Sequence, residues 1–258
     1  TTHPLDACTV SVAAAGGHMD CLRYLLDHQC PMSAAASTAA ASFGHLSCLQ
    51  LLHDHSCPWK TDTCTAAARA GHIDCLAYLH EHGCPWDEQV CKAAADAGHL
   101  ETLIYAYTQG CPWNRRVCEV AAQNGNLEIL TYARDHGCEW DVHTTYTAAT
   151  KGHLHCLQYC YAHGCQGNEI SCSLAATNGH LHCLQYLHKQ GCAWDERTTL
   201  RAAEYSHLSC LQYSHSSGCD MSWAEQHSNY TRLVQQGVDT ACLGYIQQHY
   251  QYTVPADE

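Results

Sequence analysis

The chain has 258 residues, a net charge of −13 and 46% hydrophobic residues, with a single Phe but 21 Cys and 22 His. That acidic balance argues against a phosphate backbone as partner. No apolar run reaches the roughly 18 residues a bilayer crossing takes, since the longest small-residue stretch, Ala34 to Ala41, is broken by Ser37 and Thr38. So many cysteines favour a reducing, intracellular, cytoplasmic setting. The chain begins at Thr1 without a visible leader, as a processed product or a piece of something longer would.

Internal repeats organise everything else. Gly-His pairs recur at Gly17-His18, Gly44-His45, Gly71-His72, Gly98-His99, Gly152-His153 and Gly179-His180, with Gly125-Asn126 and Ser206-His207 filling the same register, always 27 residues apart. Cys30, Cys57, Cys84, Cys111, Cys138, Cys165, Cys192 and Cys219 mark the start of each unit at the same interval. Eight copies therefore span 3–218, a distorted ninth copy serving as terminal cap spans 219–250, and 251–258 form an irregular tail. A period in this range signals one supersecondary unit stacked on itself.

In the copy at 84–110, Asp87 is an N-cap, with phase-mates Asp6, Ser33, Asn114, Asp141, Asn168, Asp195 and Ser222; only Lys60 departs. Helix A is expected from about Glu88 to Ala97, Gly98 breaks the chain, and helix B runs from about His99 to Thr108. The paired alanines of helix A (Ala94 and Ala95 here) and one leucine of helix B (Leu103 here) are constant in all eight copies. Gly110 ends helix B and Cys-Pro-Trp leads into the next unit. Nothing alternates with period two, so the expected fold is all-α: a solenoid of stacked helix-turn-helix repeats, each helix too short to persist alone.

These residues resemble ankyrin repeats. The family pattern of paired Ala, Gly-His, a leucine-rich helix and then His-Gly-small-x-x-Asn is matched by Ala67-Ala68, Gly71-His72, Leu76, Leu79 and His82-Gly83-Cys84-Pro85-Trp86-Asp87. The missing six residues fall where the family carries its β-hairpin finger, so the resemblance is to a short, fingerless variant. It implies protein binding on the concave helix-A side.

The cysteines occupy three phases: the link (Cys84), early helix A (Cys64, Cys91, Cys118, Cys172) and mid helix B (Cys21, Cys48, Cys75, Cys156, Cys183, Cys210). Their replacements, Val10, Ser37, Thr102, Ile129, Thr145 and Thr199, are small or apolar, which suits packing rather than ligation. His80-Glu81-His82-Gly83-Cys84 and His53-Asp54-His55-Ser56-Cys57 read like ligand clusters, yet residues two apart on a helix diverge. No metal, cofactor or catalytic group is expected, because every copy has the same Cys and His neighbours and no unique constellation emerges. The Trp series (Trp59, Trp86, Trp113, Trp140, Trp194) is expected to cover the seam left by the short link, and the helix-B tyrosines to extend their hydroxyls to solvent. Many histidines should charge below about pH 6 and change solubility and binding.

Function is sought where copies disagree. The two residues before each Gly, and one earlier helix-A position, give Phe43, Arg69, Lys92, Asp96, Gln123, Asn124, Tyr146, Thr150, Lys151, Thr177, Asn178, Glu204 and Tyr205 as partner-binding candidates. The expectation is a non-catalytic scaffold for a protein partner, binding neither nucleic acid nor membrane. The alternatives are a structural subunit docking or self-associating end-on through its first copy, around Leu5 and Val10, and the targeting arm of a longer enzyme.

Overall fold

A computed structural model describes residues 6–250; the expectations for His3–Leu5 and for the tail at 251–258 lie outside the described residues. The eight copies form the pairs α1 (Ala7–Ala15) and α2 (Met19–Asp27), α3 (Ala34–Ser42) and α4 (Leu46–Asp54), α5 (Thr61–Ala70) and α6 (Ile73–Glu81), α7 (Glu88–Ala97) and α8 (Leu100–Thr108), α9 (Arg116–Gln123) and α10 (Leu127–Asp135), α11 (Val142–Lys151) and α12 (Leu154–Ala162), α13 (Glu169–Thr177) and α14 (Leu181–Lys189), and α15 (Glu196–Glu204) and α16 (Leu208–Ser216). No strand occurs among the described residues.

Short polar side chains start the A helices. Asp6 Oδ1 accepts from Thr9 N at 2.9 Å, Asp87 from Gln89 N at 3.0 Å, Asn114 from Arg116 N at 3.0 Å, and Asp141, Asn168 and Asp195 do the same. Ser33 makes no such bond, and at Lys60 the deviation is met by Lys60 N donating to Thr63 Oγ1. Helix A is followed by a residue with positive φ, a glycine in seven copies and Ser206 (φ 62°) in the eighth: at Gly98 (φ 83°), His99 N reaches back to Ala94 O at 2.9 Å.

The chain divides into two compact units, one formed by residues up to Ala121 with Thr131–Glu139, the other by Ala122–Leu130 with Trp140 onwards. In the first, α1, α3, α5 and α7 pack in single file, as do α2, α4, α6 and α8. In the second, α11, α13 and α15 form one file and α12, α14, α16 and α18 (Thr240–His249) the other. Each unit is thus a stack of helix-turn-helix copies. The constant leucines (Leu22, Leu49, Leu76, Leu103, Leu130, Leu157, Leu184 and Leu211) are all 0% exposed, and each such burial stabilises by roughly 1.5–3 kcal/mol. The paired alanines let A helices approach closely; Ala67, Ala68, Ala148 and Ala149 are fully buried.

The ninth copy departs from the expected register. Ser222 does not cap a helix; it opens a 3₁₀ turn, Ser222–Glu225, and its N–H is taken by Asp220 Oδ1 at 2.8 Å. The reason is Trp223, which turns inward beside Met221 and donates Nε1–H to Thr199 Oγ1 at 2.9 Å. The helix that follows, α17 (His227–Gln235), is displaced along the chain and tied back by Arg232 to Glu204 at 3.2 Å.

Side chains reaching back one copy hold the stack in register. From the second copy on, the histidine of each Gly-His pair lies on the glycine of the copy before: a Cβ on Gly44 would come within 2.7 Å of His72, and on Gly152 within 2.5 Å of His180. His45 and His180 donate Nε2–H to Ala15 O and Thr150 O, both at 3.0 Å, satisfying the last carbonyls of the preceding helix A. The His-Gly histidines cap their own helix B: His82 Nδ1–H donates to Tyr78 O, as His136 does to Tyr132 O, each at 2.8 Å.

The link cysteines do the same at the other end of helix A. The thiols of Cys57, Cys84, Cys111, Cys138, Cys165, Cys192 and Cys219 all donate to the N-cap carbonyl 24 residues earlier, at 3.1–3.4 Å. This one bond explains why Cys is constant there. The early helix-A position proves to be a donor site as well as a packing site. Ser37 Oγ donates to Cys57 Sγ (3.3 Å) and Pro58 O, Thr145 Oγ1 to Cys165 O (3.1 Å), and Thr199 Oγ1 to Asp220 O (2.6 Å). Cys8 and Cys21 are the exposed exceptions among otherwise buried thiols; the phase-mate Cys48 is covered by Met19 of the copy before, 3.3 Å away. Burial pushes the Cys75, Cys156, Cys183 and Cys210 thiols up to about 11, leaving them protonated and unreactive at neutral pH.

Aromatic rings close the link seam. His80 stacks on Trp86 (centroids 3.8 Å), Tyr107 on Trp113 (3.9 Å) and His188 on Trp194 (3.9 Å). The next copy's tyrosine meets the Trp edge-on, as Tyr213 meets Trp194 at 6.2 Å. The tyrosine hydroxyls are not all left to solvent: His53, His188 and His215 take those of Tyr78, Tyr213 and Tyr245 at 2.8–2.9 Å. Tyr78, Tyr105, Tyr132 and Tyr186 are raised above the ordinary tyrosine value chiefly by burial.

This packing sets a pH dependence. Burial lowers the pKa of His153, whose ring bonds Gln123 O beside His155, His180 and Lys151, and burial lowers that of His215 beside His249. Both groups are depressed in the folded state, so the unfolded chain takes up the proton first. Their contribution is complete above the ordinary value of about 6.5 and is lost as pH falls through the lowered folded values. The urea midpoint should therefore drop between about pH 7.5 and about pH 5.5, and drop less when His153 and His215 are both Gln. Equal slopes for the two proteins would refute this assignment.

Candidate partner-binding surface

The A helices turn one face inward, through paired alanines and the early donor position, and the other outward. Positions spaced i, i+4, i+8 share a helix face. The residue just before each Gly therefore lies in line with one two turns earlier. In the first unit this outward face carries Phe43 (61% exposed) at the end of α3, exposed Arg69 on α5, and half-buried Lys92 with exposed Asp96 on α7. Beside Phe43 the face is shallow and small-grained, with a depression lined by Ala34, Ala35, Thr38, Ala39, Lys60 and Asp62 among others.

In the second unit Gln123 and Asn124 are exposed at the start of the file. Tyr146 is half-buried, its ring edge-on to His143 at 5.5 Å, with Lys151 exposed beyond it. Three candidates are turned partly onto their own backbone. Thr150 and Thr177 donate to Tyr146 O and Ser173 O, both at 2.7 Å, and Asn178 Nδ2 donates to Leu174 O at 2.9 Å. Glu204 is committed to Arg201 (2.8 Å) and Arg232 (3.2 Å) and so serves the junction with α17, whereas Tyr205 stands 54% exposed. In the first copy Val10 is buried, while Cys21 and Tyr24 are exposed.

One column was missed. Cys8, Ala35, Asp62, Gln89, Arg116, His143, Ile170 and Arg197 occupy the first turn of helix A, and all eight are exposed. They comprise seven residue types in eight copies, more varied than the constant columns beside them, and they share the outward face with the pre-Gly residues. The signal was in the sequence, in the diversity of this position.

Taken together, the fold and this face define a helical-repeat protein with a uniform frame and one diversified exposed surface. No family model matches the chain, and no curated protein matches it in sequence. No helix among the described residues is long and apolar enough to cross a membrane.

Proposed function

We propose that the chain is a non-catalytic scaffold, an ankyrin-like variant with shortened links, that holds a protein partner on the outward faces of its A helices. The first-turn column carries this reading: it is exposed in every copy and is the place where copies differ, while the frame beside it is uniform and buried. Phe43 in the first unit, and Ile170 and Tyr205 in the second, supply large apolar anchors among polar neighbours, the mixture a protein interface uses. Protonated thiols in the helix-B column and the link thiols' bonds to carbonyls support a structural rather than catalytic role for the cysteines. The free thiols favour a reducing, intracellular setting.

The test immobilises the chain, captures partners from native extract and measures the affinity of each identified partner. Phe43→Ser, Ile170→Ser and Tyr205→Ser combined, with helical content unchanged, should weaken binding by at least about tenfold. Undiminished affinity would remove the A-helix face as the binding surface.

A further inference from the structure

The link between α12 and α13 differs from the others. In most copies a Trp fills the seam, but its place is taken by Gly167, where a Cβ would come within 2.9 Å of the Tyr161 hydroxyl. Tyr161 turns into this space and accepts Gly167 N–H at 3.0 Å. The sulfur of Cys192 is a near neighbour of this hydroxyl.

The early helix-A residue here is Cys172, fully buried and a near neighbour of Cys192. The contact follows from the register of the stack. Cys192 Sγ donates to Asn168 O at 3.2 Å, the N-cap carbonyl that also accepts the amide of Ser171, the residue before Cys172, at 2.9 Å. Where the same position is a hydroxyl, its oxygen lies 3.3 Å (Ser37) and 3.4 Å (Thr145) from the link sulfur. Cys192 is also the most exposed of the link cysteines, at 9% against 1–6% for the rest.

We propose that Cys192 and Cys172 are a latent redox pair, in which a peroxide oxidises Cys192 and Cys172 resolves it to a disulfide that staples two consecutive repeats. The Cys192 thiolate attacks one peroxide oxygen, the O–O bond breaks, and one water leaves once its proton is supplied. Cys172 then attacks the sulfenic sulfur, the S–O bond breaks, and a second water leaves. Two thiols and one hydrogen peroxide thus give one disulfide and two waters. The Cys172 thiol and the Tyr161 hydroxyl are the neighbours that favour the thiolate at Cys192, lowered to about 7 by Cys172 first and then by Tyr161, against the opposing effect of burial. The pairs Cys64–Cys84, Cys91–Cys111 and Cys118–Cys138 share the thiol contact, but their link sulfurs are more deeply buried, so they should follow more slowly. None of this depends on what the A-helix face binds.

The test treats the folded protein, with exposed Cys8 and Cys21 changed to Ser, with limiting hydrogen peroxide, blocks the remaining thiols under denaturing conditions and maps the digest. The expected first product is the Cys172–Cys192 cross-linked peptide, reversed by dithiothreitol. Cys172→Thr places at this position the residue already found at Thr145 and Thr199, so the variant should fold. In it the cross-link is lost and Cys192 is trapped by a sulfenic-acid reagent. Recovery of Cys192 as free thiol while other cysteines oxidise, or oxidation spread equally over all link cysteines, would overturn the proposal, and the parent digest alone decides this should the variant not fold.

Discussion

Gly152→Ala should cost about 3 kcal/mol of unfolding free energy, whereas Gly164→Ala, twelve residues on, should cost about 1. Both glycines have positive φ, 77° and 84°, so both substitutions meet the same left-handed penalty of roughly 1–2 kcal/mol. They differ in what lies beyond. Nothing comes within 4 Å of a Cβ at Gly164, but at Gly152 the new methyl would meet His180 Nδ1 at 2.5 Å. The imidazole must swing away, giving up its bond to Thr150 O and exposing the last turn of α11, a further loss of about 1–2 kcal/mol. Urea titration measures both. Removing the ring should release the clash, so in a His180→Ala background the cost of Gly152→Ala should fall to about that of Gly164→Ala. Equal losses at the two glycines, or no coupling to His180, would mean that the imidazole does not set the register.

This pair shows what a single sequence displays and what it withholds. The helix bounds at Asp87, Gly98 and Gly110 were legible because caps and breakers act within a few residues of themselves. The leucine column was legible because burial imposes a spacing on one helix. The partners of His180 and Cys192 lie 28 and 24 residues away, in another copy, and a period alone does not say which atoms of neighbouring copies meet. The cysteines illustrate the consequence. Replacement by Thr145 and Thr199 read as tolerance of any small residue, although the hydroxyls in fact preserve a donor. The ninth copy failed for a related reason: Trp223 is shifted by two residues from the Trp column, and once it turns inward the chain before α17 has no room for the usual helix A. On the candidate surface, Phe43 and Tyr205 were found because they stand in the varying pair before each Gly, while the equally varied first-turn column contains small and neutral members such as Ala35 and Gln89.

Leu157→Ala is the second large effect, at about 3 kcal/mol within the 2–5 kcal/mol that deleting most of a fully buried leucine costs. Leu157 is 0% exposed on α12, which packs on α11 of its own copy and α14 of the next. The other buried residues of α12 are Cys156 and Cys160, and those of α11 are Thr144, Thr145, Ala148 and Ala149, side chains too short to collapse into the space, so a cavity should remain. Leu157→Met, which keeps the volume, should cost less than about 1.5 kcal/mol. The distribution of the damage matters as much as its size. In a stack stabilised by nearest neighbours, a lesion weakens its own copy and the two interfaces it touches, and stability is approximately a sum of such local terms. Amide exchange should therefore accelerate first in α11–α14 and leave α1–α4 near their original protection. Uniform acceleration across all helices would show that the copies unfold as one cooperative body and that the constant leucines act through the whole chain rather than through adjacent pairs.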